Sequence, residues 1–400
     1  MIPYGKHYLD DDDIQSVVNV LKDGFLTQGP KVAEFEKVLA DKVGVKYAVA
    51  VSSGTAALHL ACLAAEIGKG SVVYTSANTF VASANCVLYV GGKPEFCDID
   101  EKTLNMSPEF LAEHASNHGG MDAVIPVHFG GTPCDMDAIK MVADKYNATV
   151  IEDASHAFGA RYPNGNLVGN CEYSDMTVFS LHPVKGVTAG EGGVITTNDN
   201  SLYKRLLSLR SHGICKGNFD LPGVSIGDGS LVYQDEAVDD GVLNPWYYEM
   251  QELGFNYRIT DFQCALALSQ LTKVDKFLQR RREIASIYDH QLVDFSDVTM
   301  TQVESRALSS LHLYVLRIDF EAIGKKRGQV MRDLFDRDIG SQVHYIPVPF
   351  HPFYAEKGYK MSDFPETEKY YRQALTIPIY YGLSDDSVEE VIGALREVLY

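Results

Sequence analysis

Positive charge is scarce in this chain: 35 Lys and Arg stand against 54 Asp and Glu over 400 residues, a formal net charge of -19. Repulsion from so acidic a surface argues against a nucleic acid or an anionic membrane as partner. An anionic substrate would have to be held by a few local cations and backbone amides. Cysteine is also sparse, with seven residues (Cys62, Cys86, Cys97, Cys134, Cys171, Cys215, Cys264) and no CxxC pair. That spacing suits neither a disulfide framework nor a metal cage, and predicts reduced, mostly buried thiols in a cytoplasmic protein. No apolar run reaches the length of a membrane span, and residues 1–13 are polar and acidic, without the apolar segment of a secretory signal. GxGxxG is missing after the first strands, which disfavours a nicotinamide-dependent oxidoreductase.

What is present is a large apolar fraction, 46% of residues, enough for an extensive core and two domains. Short β-branched runs alternate with helical stretches through the first two-thirds. Strands are expected at 47–51, 71–75, 123–127, 149–152, 176–180 and 193–197, with an alanine-rich helix at 56–66. Continuous apolar strands separated by helices predict a mostly parallel sheet covered on both faces. A Gly- and Asp-rich stretch at 217–244 reads as a surface excursion of a length that suits a lid. A long helix is expected over 261–287, then an α+β tail with strands at 311–318 and 342–345 and helices at 329–335 and 386–399. The domains are placed at 14–260 (large) and 261–400 together with 1–13 (small).

Three segments carry chemistry. In VSSGTAA (51–57) a strand ends, a Ser/Gly/Thr turn follows and a helix begins, so backbone N–H groups and the helix dipole favour a phosphate. The turn lacks the lysine and glycine spacing of a nucleotide P-loop. In VIEDASHA (150–157) Asp153 ends a parallel strand, where α/β sheets place ligands. Two roles suit it: capping a following helix, or keeping a pyridine nitrogen protonated so that the ring acts as an electron sink. In FSLHPVKGVTAGEGG (179–193) Lys185 follows a strand end and precedes four glycines. Most lysines are solvated surface charges, but the apolar strands and Gly-rich turn here predict an enclosed amine whose lowered pKa suits a nucleophile and proton carrier. Ser180, five residues earlier, is placed to donate its hydroxyl to the same phosphate.

A phosphate cradle, an acid and a lysine in that chain order are far more specific than any one of them. With LTQGPKVAEFE (26–36), ANTFVASAN (77–85), LRSHG (209–213) and GFNYRITDFQCALALSQL (254–271), these segments resemble the DegT/DnrJ/EryC1/StrS sugar aminotransferases nearly end to end. PWYYEMQELGFNYRITD and QVHYIPV add a likeness to the members that act in pseudaminic acid biosynthesis.

The resemblance implies an α/β fold of the aspartate aminotransferase type (fold type I) that binds pyridoxal 5'-phosphate, with a mostly parallel mixed sheet and a smaller C-terminal α+β domain. Lys185 would be the Schiff-base lysine and Asp153 the partner of the pyridine nitrogen. Ser53, Gly54, Thr55 and Ser180 would hold the phosphate and Phe80 would stack on the ring, the alternative being a core phenylalanine. His156 would contact the ring oxygen in place of a glutamine common in relatives. Asn256 would reach the phosphate of a neighbouring subunit, making a homodimer with shared sites. Arg258 would bind an anionic ligand, unless it pairs with Asp261. Tyr4, Phe25, Leu26 and Thr27, with His344, Tyr345 and Pro347, would contact the sugar nucleotide. The implied reaction moves an amino group from L-glutamate to C4 of a UDP-linked 4-keto-6-deoxy-N-acetylhexosamine, on the way to a nonulosonic (pseudaminic) acid-type surface or flagellin sugar. A dTDP- or GDP-linked keto-sugar, a sugar dehydratase and a non-catalytic regulatory homologue are the competing readings. A related group with His in place of the lysine dehydrates its sugar, so Lys185 favours transamination.

Overall fold

A computed structural model describes residues 1–215, 238–239 and 242–400; most of the predicted excursion at 217–244 lies outside the described residues. Seven strands form the main sheet: β1 (Tyr47–Val51), β2 (Val72–Ser76), β3 (Lys93–Cys97), β4 (Ala123–Ile125), β5 (Thr149–Asp153), β6 (Met176–Ser180) and β7 (Gly193–Thr197). Their order is β1-β7-β6-β5-β4-β2-β3. Only β7 runs against its neighbours, so the sheet is mixed but mostly parallel.

Burial of both faces explains why these strands read as unbroken apolar runs. Ala48, Ala50, Tyr74, Val124, Val150 and Phe179 enter the core on one face. Val49, Val51, Val73, Ile125, Ile151 and Val178 enter that on the other, beneath the helix Gly54–Ala64. The edge strand β3, KPEFC, escapes an apolar-run search because Lys, Pro and Glu occupy it, residues that an edge tolerates and an interior strand does not.

A second core gathers side chains from residue 284 to the C-terminus. It surrounds an antiparallel sheet of Val298–Met300, Tyr314–Ile318 and Ala374–Ile377, with the helices Val274–Gln291, Arg327–Phe335 and Asp385–Leu399. Three details differ from the sequence-based expectation. The single helix over 261–287 is two, Asp261–Leu271 and Val274–Gln291, broken where the Lys273 ammonium turns to Asp10 and Asp13 of the N-terminal segment. The strand expected from 311 begins at Tyr314, because Leu311 takes a left-handed conformation (φ 52) and Leu313 bonds instead to Gly130. At 342–345 there is one bridge, Gln342 to Thr376, and no strand.

Candidate functional site

The site grows from strand register. Gly193, the first residue of β7, pairs with Val51 at the end of β1 and with Ser180 at the end of β6. The β1 turn and the β6 terminus are thereby brought side by side. A Cβ on Gly193 would fall 2.4 Å from the Ser53 carbonyl oxygen, so this approach requires glycine. Ser53 then caps the helix Gly54–Ala64, its hydroxyl accepting the Ala56 amide at 3.1 Å. The first amides of that helix remain free for an anion beside Ser180. A Cβ on Gly54 would sit 3.0 Å from that of Ser180, so the cradle is narrow.

Asp153 ends β5 on the same sheet edge. Its carboxylate accepts the Ser83 hydroxyl at 2.7 Å and the Ser155 amide at 3.0 Å, and it is almost fully buried. Turns, not a helix, follow β5, so Asp153 caps no helix. The preceding residue, Glu152, points to the opposite face. There its carboxylate is buried and accepts hydrogen bonds from His128 Nε2 at 2.8 Å, Tyr162 at 2.6 Å, Ser174 at 2.5 Å and Thr177 at 3.1 Å. Burial pushes its pKa up, and the bonds from His128, Ser174 and Tyr162 outweigh this, leaving it below the usual carboxylate range. His128 also donates its backbone amide to the Asp153 carbonyl at 3.1 Å.

Lys185 lies in the turn after β6, half-buried. Loss of solvation pulls its amine down to about 8, against the nearby Asp153 charge, which raises it. Its Nζ sits 3.5 Å from His312 Nε2. The His312 ring lies 4.4 Å from that of His156, whose Nε2 meets the Tyr345 hydroxyl at 3.0 Å. Burial, then the Lys185 charge, drives His156 and His312 well below the ordinary imidazole range and His344 to about 3, so all three rings are neutral. The Nδ1 atoms of His156 and His312 are buried and have no hydrogen-bond partner among the described residues. A neutral amine is nucleophilic and an ammonium is not. Labelling of Lys185 by cyanate, followed by peptide mapping, should therefore rise through about pH 8 and then level off. Surface lysines should keep gaining reactivity to about pH 10.

These groups border one cavity of about 410 Å³. Of the residues singled out in the sequence, Tyr4, Ser53, Gly54, Thr55, Phe80, Asp153, His156, Ser180, Lys185, His344 and Tyr345 all line it. Phe80 is 56% exposed at this cavity, which rules out a core role. Phe25, Leu26, Thr27, Asn256, Arg258 and Pro347 do not line the cavity of their own chain. Thr27 bridges Thr260, Asn256 bridges Ser211, and Pro347 precedes the short turn Val348–Phe350. Arg258 borders a separate cavity of about 250 Å³ with Arg210 and Glu36. It does not pair with Asp261, whose carboxylate instead accepts the Gly29 and Lys31 amides at 2.8 and 3.0 Å. Sequence reasoning passed over His312 and Ser83. The one signal for His312 was a histidine set among leucines in SSLHLYVLR, where a buried strand would carry an apolar residue.

The sequence profile of the DegT/DnrJ/EryC1/StrS aminotransferase family matches residues 7–396. The spore coat polysaccharide biosynthesis protein SpsC of Bacillus subtilis is 39% identical over 400 residues, which span 100% of this chain and 97% of that protein. The UDP-4-amino-4,6-dideoxy-N-acetyl-beta-L-altrosamine transaminase of Campylobacter jejuni is 35% identical over 405 residues, spanning 100% of this chain and 98% of the relative. Among solved structures, PseC of Helicobacter pylori, an aminotransferase involved in the biosynthesis of pseudoaminic acid, superposes with a TM-score of 0.87 at 27% identity, covering 100% of this chain and 99% of that one.

Proposed function

Because the chain belongs to the DegT/DnrJ/EryC1/StrS aminotransferase family, we propose that it moves the amino group of L-glutamate to C4 of a UDP-linked 4-keto-6-deoxy-N-acetylhexosamine, for a nonulosonic acid-type surface sugar. Membership makes it a pyridoxal-phosphate-dependent sugar aminotransferase. The finer reading is carried by the end-to-end identity with the Campylobacter transaminase, whose name states a UDP-linked 4-amino-4,6-dideoxy sugar.

The cavity's residues fit the cofactor. The Gly54 and Thr55 amides and the Ser180 hydroxyl would hold its phosphate, and the buried Asp153 carboxylate its ring nitrogen. Two buried ring nitrogens, on His156 and His312, lack partners among the described residues. Phe80 offers an aromatic face at the same cavity. Pyridoxal phosphate supplies an aldehyde that carries the amino group and a ring that accepts electrons as a C–H bond breaks.

The chain's own part is positioning and proton transfer. Lys185 would secure the cofactor until the amino donor displaces its amine. Freed and neutral, Nζ would take the proton from the donor's α-carbon and pass it to the cofactor, and in the second half of the cycle it would carry a proton from the cofactor to C4 of the sugar. Asp153 would meet the ring nitrogen with its carboxylate, whose oxygens Ser83 and Ser155 fix. The three neutral imidazoles add no charge to oppose this.

Asn256 and Arg258 would serve the cavity of a second subunit, completing a homodimer with shared sites. In support, they stand outside their own cavity, and the exposed side chains of Phe25 and Leu26 precede Thr27, which bridges the same segment at Thr260. Among the described residues no helix is long and apolar enough to cross a membrane.

Purified protein incubated with ¹⁵N-glutamate and a panel of UDP-, dTDP- and GDP-linked 4-keto sugars should yield one dominant labelled amino sugar, UDP-linked and N-acetylated. A dTDP or GDP product, or water loss without ¹⁵N incorporation, would displace this reading. The similarity to the Bacillus spore coat protein favours a polysaccharide destination as the alternative; the same panel distinguishes it wherever the accepted sugar differs.

A further inference from the structure

We propose that His312 is a positioning residue for Lys185, holding the amine by its lone pair whenever it is not bonded to the cofactor. The first observation is distance: His312 Nε2 is the only hydrogen-bond partner of Lys185 Nζ among the described residues, at 3.5 Å. Three further observations show that His312 is built into place.

Its main chain is held from two sides. The buried Arg281 guanidinium has no carboxylate partner among the described residues. It donates instead to the carbonyls of Leu311 at 3.0 Å, His312 at 3.3 Å and Ile379 at 2.9 Å. On the other side Ser310 and Leu313 donate to the carbonyls of Gly131 and Gly130 at 3.0 and 3.2 Å. A Cβ on Gly131 would meet the His312 amide nitrogen at 3.1 Å and Ser310 Oγ at 2.2 Å, so a bulkier residue there would push the segment away. The His156 ring lies against the imidazole. Arg281 from one side and Gly130 and Gly131 from the other thus hold this side chain at an amine 127 positions away in sequence.

The direction of the hydrogen bond follows from the unpartnered Nδ1. A buried N–H without an acceptor is rarer and costlier than a bare ring lone pair. The ring proton therefore belongs on Nε2, which donates to Lys185. Only a neutral amine has a lone pair to accept it. An ammonium would force the proton onto Nδ1 and leave it orphaned, so the geometry selects the form of Lys185 that burial already favours. In the interval when substrate occupies the cofactor, a primary amine on four rotatable bonds would otherwise lose its orientation. Held by His312, it stays at the distance from which it must take and return a proton.

The inference rests on Lys185 being the cofactor lysine, and the test separates the two claims. Apoprotein of the parent, Lys185→Ala, His312→Phe and His312→Gln is mixed with pyridoxal 5'-phosphate, and the visible absorbance change is followed by stopped flow. Phenylalanine keeps the ring volume without the hydrogen bond; glutamine keeps a donor. The expected result is no lysine-dependent signal in Lys185→Ala and capture slowed about tenfold in His312→Phe. Capture in His312→Gln should recover to within about threefold of the parent. In turnover, His312→Phe should lower kcat by a similar factor with KM for the keto-sugar within about twofold. Parental capture by His312→Phe would overturn the inference, and so would an equal loss in both His312 variants, which would mean that only the imidazole shape matters. A parental signal from Lys185→Ala would overturn the lysine assignment itself.

Discussion

Lys185→Ala should lower kcat by about 10⁴-fold or more, because in the proposed mechanism one side chain supplies both the bond that holds the cofactor and the proton carrier. Among the described residues no other amine lines the cavity, and the three imidazoles around it are driven neutral and lie well below the pH at which they could exchange a proton usefully. The purified variant should also lack the yellow colour that borohydride bleaches in the parent. In the parent, the label left by reduction should map to the Lys185 peptide. Multiple-turnover activity near the parental level would end the assignment, whatever the colour showed.

Asp153→Asn should cost about 10³-fold in kcat with little change in KM, the scale seen when a preorganised electrostatic group is removed from an enclosed site. Asparagine preserves the shape and an oxygen for the Ser83 hydroxyl or the Ser155 amide, so the loss isolates the negative charge. The variant should still bind pyridoxal phosphate and still form the lysine-linked colour, since Lys185 and the phosphate cradle are untouched. A kcat within about tenfold of the parent would show that the carboxylate does not control protonation of the ring nitrogen.

The parts of this molecule that could be read from its sequence are those whose physics is local. β1 and β5 to β7 announce themselves because burial on both faces demands apolar residues at consecutive positions, and the observed bounds fall within about a residue of those runs. Asp153, Ser180 and the Ser53–Gly54–Thr55 turn are legible for a related reason: each sits at a strand end, where chain order alone predicts a ligand edge. The edge strand β3 was hidden by its charged composition, and the break after Leu271 by the absence of glycine or proline. That break depends on Lys273 meeting two aspartates more than 250 residues earlier. His312 is the clearest case of the long-range kind. Its place beside Lys185 needs Arg281, Gly130 and Gly131 to converge, and no window of sequence contains them together. Asn256 and Arg258 lie further out of reach, since the role expected of them belongs to a second copy of the chain.

The Glu152 cage has a consequence for how β5 settles. Side chains alternate along a strand, so a slip of one residue, in either direction, would put one of these two carboxylates in the place of the other. A slip one way would draw Asp153 into a pocket of four donors shaped for a longer side chain; a slip the other way would project Glu152 one methylene too far into the cavity. Both are carboxylates, so hydrophobic sorting cannot tell them apart. Side-chain length can, because the hydroxyls of Tyr162, Ser174 and Thr177 and the imidazole of His128 are spaced for a glutamate. The cage works as a ruler against register error, and the residue whose position it secures is the neighbouring aspartate, whose carboxylate it does not touch.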